Sequence, residues 1–97
     1  MKVKDLIEKI NSSDYYSIYD AIHMMDDTCK CVEEHKDAKI YIWYTVSTSV
    51  YKLEDGFVGI RGVSELNRGD LVYSDIDCPC IAKEYEEYTT ISYRPKN

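Results

Sequence analysis

Four cysteines are the residues of this sequence with the clearest capacity for chemistry. They form two Cys-x-Cys pairs, Cys29 with Cys31 and Cys78 with Cys80. Four thiolates can hold a tetrahedral zinc ion, and His35 is an alternative donor. The Cys-x-Cys spacing fits a zinc site less well than the Cys-x2-Cys spacing of zinc knuckles, in which two intervening residues let backbone amides turn toward the sulfurs. Such a zinc ion would be structural, because the sequence offers no open ligand position and no paired general base.

Two other interpretations of the cysteines stay open. The thiols can pair as disulfides, although the intracellular setting expected of this chain argues against that. They can also stay free and partly buried, where a thiol packs as a small hydrophobic group. The sequence therefore predicts no cofactor other than a structural zinc ion.

Sequence motifs for catalysis are missing from this chain. Nothing resembles a nucleophile elbow, an H-E-x-x-H helix or a phosphate-binding loop. Residues 59–62 fit the GxxG pattern of KH-type RNA clamps, but that loop joins two helices, whereas this segment lies in a predicted strand. Arg68-Gly69-Asp70 is predicted to be a turn. The chain is therefore predicted to be non-enzymatic.

Length and charge exclude several functional classes. The 97 residues carry a net charge of −6 and are predicted to form one domain. Lysine and arginine do not cluster, so a surface for duplex nucleic acid is not expected. No apolar run approaches the ~20 residues of a membrane span, and the N-terminus lacks the apolar region of a signal peptide. The expectation is a soluble, cytoplasmic protein.

A long antiparallel hairpin over residues 40–63 is predicted to form the centre of the fold. β-branched and aromatic residues fill it, and Glu54-Asp55-Gly56 supplies the turn. We expect a three-residue loop that sets Val50 opposite Ile60, because this register matches apolar residues with apolar residues. A bend or bulge is expected at residues 47–49, since a flat strand of this length is unusual.

In the segment that precedes the hairpin, apolar residues recur at helical spacing. It predicts one helix over residues 2–10 and a second from Tyr15 to about Met25. Residues 29–39 are polar and are predicted to be a loop. Residues 81–93 alternate weakly, as expected of one or two edge strands that end at Pro95. A short strand is also predicted at residues 71–73.

These elements predict an α+β fold. Two short N-terminal helices would pack on one face of an antiparallel sheet of three to five strands, built on the central hairpin. Residues 1–27 would form the helical part, and residues 38–95 would form the sheet.

The aromatic residues predict a binding surface. Ten tyrosines and one tryptophan are more than two short helices can bury. The sheet face with Tyr41, Trp43, Tyr51, Phe57 and Arg61 would then be covered by the C-terminal strands, by a second copy or by a protein partner. The alternative is that tyrosine replaces leucine and phenylalanine in a small core.

In size and composition, with segments such as KLEDGFVGIRGV and EEYTTISYRPK, the chain resembles the small acidic accessory proteins of bacteriophages. That resemblance implies a non-enzymatic inhibitor that binds a host defence protein in the host cytoplasm. An alternative is a protein that binds or sequesters a small ligand or nucleotide, with Arg61, Arg68 or Arg94 on a phosphate. A second alternative is a zinc-stabilised structural domain.

Overall fold

The helical part of this protein is smaller than the sequence predicts, and its sheet begins earlier in the chain. The computed structural model describes residues 1–12, 17–23, 25, 29–37, 43–67, 78–88 and 92–96. Its elements are α1 (Val3–Asn11), α2 (Ile18–Ile22), β1 (Lys30–Lys36), β2 (Tyr44–Leu53), β3 (Gly56–Leu66), β4 (Ile81–Glu87) and β5 (Tyr93–Pro95). The strands form one antiparallel sheet in chain order, which curls into a half-barrel.

The predicted fold with two N-terminal helices packed on the sheet is wrong. Only α1 has more than a single turn among the described residues, and α2 has five residues. The backbone at Ser17 is extended and forms a parallel bridge with Val63, so a helix cannot begin before Ile18. Here a contact with the sheet overrides helical spacing, which is only a weak local preference.

The polar segment predicted as a loop contains the edge strand β1. Most of its side chains are exposed, so its sequence shows no alternation of apolar and polar residues. Period-two patterning arises only where one face is buried, and for that reason it is absent here. The sheet consequently begins at Lys30 rather than at residue 38. The predicted strand at residues 71–73 lies outside the described residues.

The central hairpin is present, with a different register. Val50 pairs with Gly59 rather than with Ile60, and the turn between the strands contains only Glu54 and Asp55. The bulge lies between Thr45 and Val46 instead of at residues 47–49. Matching apolar residues across the two strands predicts the wrong register, because α1, a third element, determines which residues share the buried face.

One face of the sheet packs against α1, and we call it the helix-covered face. Tyr51, Leu53, Val58 and Ile60 lie on it, because paired residues share a face and neighbours along a strand alternate. Together with buried residues of both helices they form the main core. The opposite face, which includes Val50, Phe57, Gly59, Arg61 and Tyr85, is called the concave face.

Hydrogen bonds to the sheet hold both ends of α1. Lys2 gives the helix no side-chain cap, and Asp55 of the hairpin turn accepts from the Val3 N–H at 2.9 Å. At the other end, the Asn11 amide donates to the Ala82 carbonyl at 3.0 Å and accepts from the Ala82 N–H at 2.8 Å. The Asn11 side chain thus takes the place of a neighbouring strand beside β4. No helix in the described part of the chain is long and apolar enough to cross a bilayer.

We expect Asn11→Ala to lower the free energy of unfolding by about 1–3 kcal/mol, because it leaves two polar groups of buried Ala82 without their partner. Urea denaturation measures this loss. Asn11→Asp, which keeps the acceptor but not the donor, should fall between the wild type and Asn11→Ala. Ser12→Ala is the control, since its hydroxyl bonds only an exposed carbonyl of its own helix. Equal losses for Asn11→Ala and Ser12→Ala would contradict the strand-like role of Asn11.

Candidate functional site

The predicted partner-binding residues do not share one surface. Tyr41 lies outside the described residues. Trp43 is 48% exposed just before β2, whereas Tyr51 is buried in the main core on the helix-covered face. Phe57 and Arg61 lie on the concave face. The grouping failed because the predicted hairpin register placed Tyr51 and Phe57 together, and the observed register separates them.

The C-terminal strands cover the concave face. The Tyr85 ring of β4 lies against Gly59 so closely that a Cβ at position 59 would overlap it. The rings of Phe57 and Tyr93 pack with their centroids 4.8 Å apart, and Val50 beneath this layer is fully buried. This aromatic layer fills the inside of the half-barrel, so the predicted aromatic docking face is largely internal.

Charged groups surround the aromatic layer on the concave face. Arg61 Nη2 lies 2.6 Å from Asp37 Oδ2, and the Tyr93 N–H donates to Glu33 Oε2 at 3.1 Å. That second bond joins β5 to β1, the two ends of the sheet, and it is the contact expected of a sheet that curls. Burial raises the pKa of Tyr85, with a further contribution from the negative charges of Glu33 and Asp37. Its hydroxyl therefore stays protonated and can donate a hydrogen bond.

A cleft opens beside this layer between β3, β4 and β5. Its volume is about 210 Å³, and its lining consists of Gly59, Arg61, Ile81, Lys83, Tyr85 and Pro95. Of these residues, the sequence predicts a functional role only for Arg61. The alternation of residues 81–93 is weak, and it gave no signal that Lys83 and Tyr85 share a face with Arg61.

No disulfide joins the four cysteines, and their environments differ. Cys80 is buried against Gly62 and Cys29 packs on the main core, whereas Cys78 packs beside Val46 and Val63. Cys31 is exposed, and its thiol lies 3.5 Å from the Glu33 carbonyl. Among the described residues, no three His, Cys, Asp or Glu side chains form a group suited to a metal ion. Zinc binding by the cysteines stays a prediction.

Cys31 and Tyr51 face each other across β1 and β2 at the margin of the main core. Burial raises the pKa of the Cys31 thiol, and the charge of Glu34 adds to the effect. A thiol with a raised pKa is a poor nucleophile near neutral pH. Burial also raises the pKa of Tyr51 to about 12, with the nearby Cys31 as the second cause.

We expect the folded protein to lose stability as the pH rises from 10 toward 12. The folded state holds the Tyr51 proton up to about pH 12, while the unfolded chain releases it near pH 10.0. This contribution to stability is therefore complete below pH 10 and disappears as the pH passes the folded pKa. Urea denaturation across this range should give a shallower fall for Tyr51→Phe than for the wild type. Parallel curves for the two proteins would contradict the assignment.

The opposite end of the hairpin from its turn carries exposed aromatic side chains. Trp43 lies there, with its carbonyl accepting from the Asn67 N–H at 2.8 Å. Tyr19 of α2, which is 54% exposed, lines a groove of about 440 Å³ at the same end of the sheet. The other lining residues of that groove are Glu34, His35, Lys36, Ser47, Ser64 and Glu65. We call this region, which comprises Trp43 and the groove lined by Tyr19, the Trp43 end.

The bulge in the hairpin shapes the floor of this groove. Ser64 is the extra residue of β3, and its hydroxyl lies 2.8 Å from that of buried Ser47. A bulge bends the strand and redirects the residues beyond it. The sequence predicts a bulge in this hairpin at residues 47–49, but it gives no signal for Ser64 or for the groove.

Comparison with protein-family models, with curated proteins and with solved structures found no match to this chain. Its function must therefore be inferred from the geometry of the described residues.

Proposed function

We propose that this protein is a non-enzymatic binding protein whose partner is another protein, docked on the Trp43 end. The observation that carries the proposal is the exposure of two large aromatic side chains, Trp43 and Tyr19, at one end of the sheet. The aromatic residues of the concave face are packed internally, so these two contribute aromatic area that a partner can bury.

Tryptophan and tyrosine suit this role because of their size and stiffness. They supply a large contact area with few rotatable bonds, and for that reason they are enriched among the residues that dominate binding energy. The backbone hydrogen bond between Asn67 and Trp43 holds the tryptophan at a fixed position beside the hairpin. A side chain on a fixed backbone loses less conformational freedom on binding, which favours affinity.

Charge indicates the chemistry of the partner. The chain has a net charge of −6, which attracts a basic surface over several ångströms and raises the rate of encounter. Glu65 and Glu34 on the groove would meet such a surface directly. We therefore propose a partner with a basic surface and an apolar pocket for the indole ring. The resemblance to bacteriophage accessory proteins favours a host defence protein in this role.

We expect Trp43→Ala to weaken partner binding by about 30-fold, the effect of losing roughly 2 kcal/mol at a residue that dominates an interface. The partner would first be recovered from host lysate with the wild-type protein, and its dissociation constant would then be measured with purified components. Trp43→Phe should lose less than Trp43→Ala.

Tyr88→Ala is the matched control for that experiment. Tyr88 is 53% exposed, close to the value for Trp43, but it follows β4 at the end of the sheet near the hairpin turn. Binding that is unchanged by Trp43→Ala, or weakened equally by Tyr88→Ala, would contradict the proposed docking site. Native mass spectrometry of the isolated protein tests whether the partner is a second copy of the chain.

A further inference from the structure

We propose that the edge of β4 that faces away from β3 binds an extended basic segment of another protein, and that β5 occupies this site as a resident competitor. We call it the β4-edge site and define it by Glu33, Phe57, Glu84, Glu86 and Tyr88. Most of it lies near the hairpin turn, at the opposite end of the sheet from the Trp43 end. The proposal therefore goes beyond the proposed docking site and does not rest on it.

On the concave face, the site holds an aromatic residue. The Tyr93 ring of β5 packs on the Phe57 ring with the centroids 4.8 Å apart. The Tyr93 N–H donates to Glu33 Oε2 at 3.1 Å, although β5 pairs with β4 and not with β1. A side chain of β1 thus reaches the backbone of the edge strand from its outer side. An aromatic residue with a backbone N–H is therefore what this position accepts.

On the helix-covered face, the site holds two cations. Arg94 Nε lies 2.8 Å from Glu86 Oε1, and the Arg94 guanidinium carbon lies 5.2 Å from the centre of the Tyr88 ring. Lys96 Nζ lies 3.4 Å from Glu84 Oε2, and the Lys96 N–H donates to the Glu84 carbonyl at 2.8 Å. A carboxylate beside an aromatic ring favours a guanidinium over an ammonium. The contacts therefore select arginine at the first position and a basic residue at the second.

The contacts of β5 with the site are few and exposed. β5 has three residues and pairs with β4 at three positions. The Arg94 and Lys96 side chains are 60% and 53% exposed, and ion pairs between groups so exposed contribute little to stability. Pro95 has no N–H to donate. A short edge strand with these contacts opens at a lower free energy than the longer strands beside it, so the site becomes available without unfolding of the sheet.

The site keeps its shape when β5 leaves. The pairing of β3 with β4 places Phe57 opposite Tyr85, whose ring packs on β3, and the pairing of β1 with β2 places Glu33. None of these contacts involves β5. Asn11 ends the site, because its side-chain amide already bonds both the N–H and the carbonyl of Ala82. The site is therefore preformed, and it takes a segment of the length of residues 93–96.

Charge complementarity defines the segment that binds in trans. Three carboxylates of the site, from Glu33, Glu84 and Glu86, lie against a segment with two cations. A strand added to a sheet edge binds through backbone hydrogen bonds, and its alternate side chains give specificity. The occupant is thus an extended segment that reads aromatic, arginine, any residue, basic. β5 must leave before it binds, and a tethered segment competes at an effective concentration on the order of 1 mM or more.

The test titrates the ¹⁵N-labelled protein with an acetylated peptide of sequence Ser-Tyr-Arg-Pro-Lys, which copies residues 92–96. In the double variant Tyr93→Ala, Arg94→Ala the resident strand is weakened. We expect it to show saturable shifts of the Phe57 and Glu86 amide signals, with a dissociation constant on the order of 1 mM. The wild type should bind about tenfold more weakly, because its own β5 competes. A peptide with glutamate in place of arginine and lysine should not bind.

Glu86→Gln, added to the double variant, should weaken peptide binding about threefold, because the arginine loses its carboxylate. Glu65→Gln is the matched control, since Glu65 is an exposed carboxylate at the Trp43 end. Trp43→Ala should also leave peptide binding unchanged, so failure of this proposal and failure of the proposed protein partner can be told apart. Amide spectra of all variants verify that the fold is retained.

Hydrogen exchange of the wild type tests the opening of β5 without any substitution. The Lys96 N–H, which donates to Glu84, should exchange at least about tenfold faster than the amides that join β2 and β3. Equal exchange rates would overturn the proposal, because β5 would then leave only when the whole protein unfolds.

No saturable shift in the double variant up to about 10 mM peptide would overturn the proposal as well. So would equal binding of the glutamate peptide, equal binding by the wild type and the double variant, or equal weakening by Glu86→Gln and Glu65→Gln. A wild-type dimer in native mass spectrometry that the double variant abolishes would identify a second copy as the occupant, and would also overturn it.

Discussion

The contact between the Tyr85 ring and Gly59 is the constraint on which the rest of this structure depends. Any side chain at position 59 would overlap the ring, so only glycine lets β4 lay an aromatic residue flat on β3. With Tyr85 in place, and with Tyr93 packed on Phe57, the inside of the half-barrel is filled. The packing of the concave face therefore depends on this one contact.

Tyrosine lets a short chain with little leucine and phenylalanine cover both faces of its sheet. The helix-covered face uses α1, held to the sheet at both ends by Asp55 and Asn11. The concave face has no helix among the described residues and uses the rings of its own strands. Two of the tyrosine hydroxyls lie near a polar neighbour, Tyr51 near Cys31 and Tyr85 near the carboxylates of Glu33 and Asp37. Exposed aromatic surface remains at the Trp43 end and at Tyr88, and we propose the Trp43 end as the docking site of the protein partner.

Structural features that arise within one strand or turn can be predicted from the sequence, whereas features that depend on contact with a further helix or strand cannot. The long hairpin was predictable because β-branched residues and the turn residues before Gly56 are local signals. Its register was not, because α1 decides which face Tyr51 must occupy. β1 was missed because a polar edge strand has no pattern. In the candidate sites, Trp43 and Arg61 stood out by residue type, whereas Lys83 became recognisable only when the pairing with β3 was known.

The most direct test of the central contact is the NMR signal of the Gly59 α-protons. A proton held against the face of an aromatic ring is shielded, and it shows nuclear Overhauser effects to the ring protons. We expect the Gly59 α-protons to be shifted upfield, with cross-peaks to the Tyr85 ring, and the upfield shift to disappear in Tyr85→Leu. Unshifted α-protons without such cross-peaks would show that the concave face is open, and would contradict the packing of Tyr85 on Gly59.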